Sequence, residues 1–264
     1  MTRVTSAIQE VLASGRKGVI PFICAGFPRP DSTVRTLSAL AADNVPVIEV
    51  GIPFSDPIAD GPVIAGAMHR ALQGGVTPER IFSEIQAARG QFRAALVAMV
   101  SVSIVHRFGG AAGFARRARE AGFDGLIVPD VPLEESGQLR AAAAEHGLSF
   151  TLLVAATTPA PRVAEIARAC TGFVYLMTRT GITGTQSGPI DVDARVKVVR
   201  EATDLPVACG FGVSTSDHVR SVCRVADAAI VGTALVKAME AGEQRGDDPS
   251  SEAGKLLREL ASAV

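Results

Sequence analysis

Residues 46–62 read Pro-Val-Ile-Glu-Val-Gly-Ile-Pro-Phe-Ser-Asp-Pro-Ile-Ala-Asp-Gly-Pro. The first five form a short apolar run without polar alternation, the pattern of a strand buried on both faces in a parallel sheet. Glu49 alone interrupts it. A loop dense in Pro and Gly follows, and a helix is expected to start near Gly61.

The same unit recurs along the chain. Comparable apolar runs occupy 18–25, 95–100, 125–129, 149–154, 172–177, 206–209 and 227–231. Between them lie segments with apolar residues at helical spacing: Asp31–Ala42, Ala112–Ala121, Glu134–His146, Pro159–Ala169, Asp191–Ala202 and Ser214–Arg224. Pro78, Asp191 and Ser214 are expected helix starts. An amphipathic helix over Ser6–Ala13 precedes the first strand, and another over Ser251–Ala263 closes the chain. Eight buried strands alternating with about eight helices in roughly 250 residues predict a (β/α)8 TIM barrel with an extra N-terminal helix. A doubly wound open sheet would rarely need eight such units, and no nucleotide fingerprint follows the first strand. No linker divides the chain, so residues 1–264 are expected to form a single domain. The polar stretch Gly242–Ser251 (GEQRGDDPSS) is expected to be a surface loop.

Composition narrows the function classes. Lys and Arg total 26 against 27 Asp and Glu, and no basic run occurs, which argues against binding driven by nucleic-acid phosphates. Trp is absent and Tyr175 is the single tyrosine, too few aromatics for a base-stacking platform. Cys24, Cys170, Cys209 and Cys223 are scattered with no CxxC pair, so neither a disulfide framework nor a zinc site is expected. Early charges (Arg3, Glu10, Arg16, Lys17) leave no signal-peptide core, and no apolar run reaches the ~18 residues of a membrane span. A cytoplasmic protein fits best.

In a barrel the site lies at the C-terminal ends of the strands. Glu49 there is a carboxylate in an apolar strand, costly to ionise and with a movable pKa. The bland alternative is a buried Glu held by hydrogen bonds or an ion pair. Asp56 and Asp60 share the restricted loop. Asp56 reads as the capping residue, and Asp60 as a second carboxylate suited to divided acid and base labour. After strand six, Thr178–Pro189 is long and rich in small residues, either a lid or a plain connection. Gly210-Phe-Gly212 after strand seven and Gly232-Thr233 after strand eight precede helix starts. Glycines before helix N-termini are where barrels hold phosphate.

The run from Glu49 to Pro62 closely resembles the signature of the tryptophan synthase alpha subunit family. Further matches occur in family order: Pro21-Phe22 with Ala25-Gly26, Gly125–Asp130, Thr157-Thr158-Pro159, Tyr175 with Arg179–Gly184, Gly210–Gly212 and Gly232-Thr233. The resemblance spans nearly the whole chain. It implies a retro-aldol lyase cleaving indole-3-glycerol phosphate to indole and glyceraldehyde 3-phosphate, with no metal or organic cofactor. It also implies a complex, α2β2 in form, with a beta subunit that carries pyridoxal phosphate. By the same resemblance Glu49 is the general acid/base, Asp60 holds the indole N1–H and Tyr175 is an orienting hydroxyl. Thr183 helps place Asp60. Phe22, Ile64 and Phe211 wall the indole, although Phe22 and Ile64 read equally as core packing. Gly181, Gly212, Gly232 and Thr233 bind phosphate. The loop Pro53–Asp60 is expected to face the partner, with Phe54 exposed on it.

The sequence departs from the family at Met99–Val105 (MVSVSIV), where a Tyr-Tyr-Asn-Pro-like stretch is usual. Val102 or Val100 stands near the missing tyrosine, and Ser103 is the nearest polar residue to the missing asparagine. Ala65 replaces a usual Gln, and Thr233 a commoner Ser. Besides the ordinary lyase, two readings follow. One is a barrel enzyme for another phosphorylated substrate. The other is a regulatory subunit that binds a phosphorylated ligand and activates a beta partner with little chemistry of its own.

Overall fold

A computed structural model describes residues 1–40, 45–57, 60–178 and 192–264. Helix α1 (Arg3–Ala13) comes first. It is followed by β1 (Gly18–Cys24), α2 (Ser32–Ala39), β2 (Val47–Gly51), α3 (Pro62–Gln73), α4 (Pro78–Ala88) and β3 (Ala95–Met99). The middle of the chain gives α5 (Val102–Arg107), α6 (Gly110–Ala121), β4 (Gly125–Ile127), α7 (Gly137–Glu145), β5 (Ser149–Thr151), β6 (Leu153–Val154) and α8 (Ala160–Ala169). The last part gives β7 (Val174–Met177), α9 (Asp193–Ala202), β8 (Val207–Gly210), α10 (Ser216–Cys223), β9 (Ala228–Val231), α11 (Thr233–Arg245) and α12 (Pro249–Ala261).

The described strands form one parallel sheet in the order β5-β4-β3-β2-β1-β9-β8-β7-β6. Leu152 alone separates β5, which pairs with β4, from β6, which pairs with β7. The two are halves of one stave, and that stave closes eight staves into a barrel. This is the (β/α)8 architecture expected from the apolar runs.

Strand periodicity sorts the core into two shells. Ile20, Val47, Val97, Ile127, Tyr175, Ala208 and Ile230 point inward and cluster with Val4 and Ile8 of α1. Their neighbours Val19, Ile48, Leu96, Leu126, Leu176, Cys209 and Val231 point outward under the surrounding helices. Helix α1 therefore plugs the N-terminal end of the barrel. Thr2 caps it by accepting from Thr5 N–H, and Thr5 Oγ1 donates to the Gly172 carbonyl at 2.8 Å. Burying Val4 and Ile8 completely contributes about 1.5–3 kcal/mol each.

Several boundaries differ from expectation. Gly242–Arg245 is the last turn of α11, and α12 already starts at Pro249, so the polar stretch is mostly helix. Gly242 packs so closely on α12 that a Cβ there would meet Glu252 Cγ at 2.7 Å. Polar composition there reflects the solvent face of a helical hairpin. Pro78 does start α4, behind a Thr77 cap. The cap of α10 is Thr215 rather than Ser214, and Asp191 lies outside the described residues. Asp56 caps no helix. It accepts from Ser55 Oγ at 2.7 Å, and α3 starts after Gly61 with Pro62 in its first turn.

Candidate active site

Period two places Glu49 inside the barrel, level with Phe22 of β1 and Val97 of β3. It is 0 % exposed, and neither carboxylate oxygen has a hydrogen-bond partner among the described residues. The bland reading of a Glu tied down by bonds or an ion pair therefore fails there. Burial pushes its carboxyl from 4.5 up to about 8. Asp60 enters from the loop after β2, its N–H donating to the Pro57 carbonyl at 3.1 Å. Burial raises its pKa less, to about 6. Tyr175 lies on β7, and burial followed by the nearby Glu49 and Asp60 charges holds its phenol well above the usual value. At neutral pH the arrangement is thus a protonated Glu49, an ionised Asp60 and a neutral Tyr175.

These three groups line one cavity with Phe22, Ile64, Phe211, Gly212, Gly232 and Thr233. The structure thereby brings together every described residue singled out for the site. Gly181 and Thr183 lie outside the described residues. Phe211 holds a left-handed backbone (φ 76°), followed by Gly212 (φ 83°). Such a conformation is costly for a bulky residue and clusters at functional sites. It is held by Thr178 Oγ1, which donates to the Phe211 carbonyl, and by an edge contact of its ring with Tyr175 at 6.1 Å. At the next stave Gly232 caps α11, whose Leu235 and Val236 N–H groups bond back to the Gly232 carbonyl. The positive end of this 13-residue helix, starting at Thr233, opens into the cavity and suits an anion.

Sequence reasoning missed Met99, Pro129, Leu153, Val213 and Ile230, which also line the cavity. Met99 and Leu153 sit at or near strand C-terminal ends, a positional signal that apolar character hides. The departures after β3 also resolve differently. Val100 and Ser101 line an adjoining cavity, whereas Val102 lines neither and Ser103 is exposed. Ser101 caps α5 and donates to Asp130 Oδ2 at 2.7 Å. Phe54 is half-buried against the core and not exposed as expected, which removes that argument for a partner face. No described helix is long and apolar enough to cross a membrane. Among the described residues, no group of three or more His, Cys, Asp or Glu side chains is placed to hold a metal ion.

A tryptophan synthase alpha chain family profile matches residues 8–264. Relatives named tryptophan synthase alpha chain include that of Laribacter hongkongensis, 41% identical over 94% of this chain and 94% of its own. That of Prochlorococcus marinus is 42% identical over 99% of this chain and 94% of its own. Among solved structures, a Mycobacterium tuberculosis tryptophan synthase chain superposes with a TM-score of 0.89 at 33% identity, covering 100% of this chain and 98% of that one. The tryptophan synthase subunit alpha of Legionella pneumophila gives 0.87 at 30% identity, covering 100% and 98%.

Proposed function

The chain belongs to the tryptophan synthase alpha chain family, and from that membership we propose how its own residues carry out the family's reaction. It is a lyase that cleaves indole-3-glycerol phosphate to indole and glyceraldehyde 3-phosphate. The phosphate rests on the backbone of Gly212 and Gly232 and on Thr233, at the positive end of α11, with Gly181 completing that site. Phe22, Ile64 and Phe211 wall the indole. Asp60 accepts its N1–H, and Thr183 helps to place Asp60.

Glu49 carries two proton transfers in succession. Its neutral carboxyl gives a proton to indole C3. The ring becomes cationic, with charge shared by N1, and the ionised Asp60 offsets that charge across the N1–H bond. The new Glu49 carboxylate takes the proton of the hydroxyl on the adjacent glycerol carbon. The bond from that carbon to C3 breaks, and its electron pair restores the aromatic indole. The hydroxyl oxygen becomes the aldehyde of glyceraldehyde 3-phosphate, and Glu49 ends protonated as it began. Tyr175 stays neutral and orients the reacting groups.

The observation that carries this reading is the pair of carboxyls in one cavity, set apart to about 8 and about 6. Pairs pushed apart in this way divide acid and base roles. The test is steady-state cleavage of indole-3-glycerol phosphate with and without a beta subunit. Wild type turns the substrate over, and Glu49→Gln loses at least about a thousandfold in kcat while still binding a phosphorylated ligand. Near-normal turnover by a folded Glu49→Gln variant refutes the assignment.

Family membership implies a beta-subunit partner. We take the assembly to be α2β2, with pyridoxal phosphate on the beta subunit. The single-domain organisation over 1–264 is supported by the family match from residue 8 to the last residue. A cytoplasmic location is supported by four buried, free cysteines.

A further inference from the structure

The catalytic cavity continues past the atoms that react. Its lining includes Gly212, Gly232 and Thr233 as well as Asp60, Met99 and Pro129. Those last three residues also line a second cavity, which shares none of the glycines. Beyond them its apolar walls are Ile52, Phe54, Pro57, Met68 and Val100, and its polar edge is Ser101, Asp130 and Asp56, the last accepting from Ser55 Oγ. Its free volume is about 30 Å³, against the 10–15 Å³ that one water-sized probe fills. A methyl or chloro group is of that order.

The space exists because of what stands after β3. Val100 is only 2 % exposed and leaves its side of the wall aliphatic and short. Ser101 turns its hydroxyl back to Asp130 and accepts the Ser103 N–H at 3.2 Å. The Asp130 carboxylate is in turn occupied by Ser101 and by the Val102 N–H at 3.0 Å. The polar groups on that side are thus paired with each other, and apolar surface remains for a ligand.

We propose that this second cavity is a specificity pocket for a small apolar substituent on the benzenoid ring, so that the enzyme cleaves 6-substituted indole-3-glycerol phosphates about as well as the parent. The proposal rests on the lyase reading. With the phosphate at the glycine end, Glu49 at C3 and Asp60 at N1–H, the ring lies with its far edge against Met99 and Pro129. Position 6, on the N1 side and away from the glycerol chain, then points into the second cavity.

The test compares kcat/KM for 6-chloroindole-3-glycerol phosphate and for the parent, in the isolated chain and with a beta subunit. Wild type is expected to hold the two within about threefold of each other. Val100→Phe, which fills the cavity, is expected to lower the ratio of chloro to parent by about tenfold or more, the order of discrimination one apolar group gives in a fitted pocket. Ser101→Tyr fills the same space from the edge and carries the test if Val100→Phe does not fold. A wild-type ratio below about one tenth overturns the proposal. So does a filled variant that lowers both substrates equally, or one that slows only the passage of indole to the beta subunit. Failure of wild type to cleave the parent overturns the lyase reading instead.

Discussion

Glu49 is the residue on which both chemistry and stability turn. A carboxyl moved from 4.5 to about 8 by burial keeps its proton in the folded chain at a pH where the unfolded chain has lost it. Below about 4.5 both states hold the proton, and the folded state keeps its full advantage. Between about 4.5 and about 8 the unfolded state ionises freely, so stability falls as pH rises, and above about 8 the loss is complete. Glu49→Gln stays neutral throughout. Urea unfolding should therefore show the variant gaining on wild type across this window, by an amount on the order of a few kcal/mol above its upper end. Parallel stability curves for the two proteins would contradict burial as the cause. The same two carboxyls set the rate. Catalysis needs Glu49 protonated, which fails above about 8, and Asp60 ionised, which fails below about 6. A bell-shaped kcat/KM profile with those limbs is expected. A profile flat from pH 5 to 9 would remove the division of roles.

At the scale of elements, the turn from β8 into α10 shows how backbone shape places side chains. Gly210 ends β8 where a Cβ would lie 2.5 Å from Tyr175 Oη and 2.9 Å from its Cζ. Tyr175 is inside the barrel and lines the cavity, so a Cβ at Gly210 pushes its ring out of place rather than breaking the fold. Gly232 is different, since a Cβ there would meet Phe22 at 3.4 Å, an ordinary contact. Gly210→Ala should therefore displace Tyr175 and lower kcat by about tenfold or more while the chain still folds. Gly232→Ala should change kcat/KM by less than about threefold, because a phosphate held there meets backbone N–H groups. Equal effects of the two substitutions would show that Tyr175 position does not matter. This contrast also marks what the sequence could reveal. Glu49 was legible because it is a charge in the interior of an apolar run, and the glycines because they precede helix starts. Met99 and Ile230 were not, since an apolar residue facing a ligand is spelled like one facing the core. The helical end of α11 was hidden because Gly242, a helix breaker by propensity, is required there by close packing on α12.

For the whole molecule, the N-terminal end of the barrel is held by two matching clamps. Asp124 directly precedes β4, and Asp227 directly precedes β9. Asp124 exchanges backbone and side-chain bonds with Leu96 on the preceding stave, at 2.7 and 3.0 Å. Asp227 does the same with Val207, at 2.9 Å for both bonds. Each is nearly buried and meets cations: Arg89 at 2.8 Å with Arg3 and Arg119 for Asp124, and Arg200 at 2.7 Å with Lys17 for Asp227. In an eight-stave barrel these positions are four staves apart, on opposite sides of the axis. Both lie at the end away from the cavity, where barrels carry stability rather than chemistry. Removing either carboxylate leaves a buried N–H without its acceptor and takes the counter-charge from the cations around it, so Asp124→Ala and Asp227→Ala should each cost about 3 kcal/mol in urea unfolding. Opposite placement without shared partners makes the losses additive, and the double variant should fall within ~0.5 kcal/mol of their sum. Turnover of the folded single variants at 25 °C should match wild type. A loss of kcat at that temperature would show that the two ends of the barrel communicate. Strong non-additivity would instead point to coupling through α1, which plugs that end of the barrel and whose Arg3 reaches Asp124.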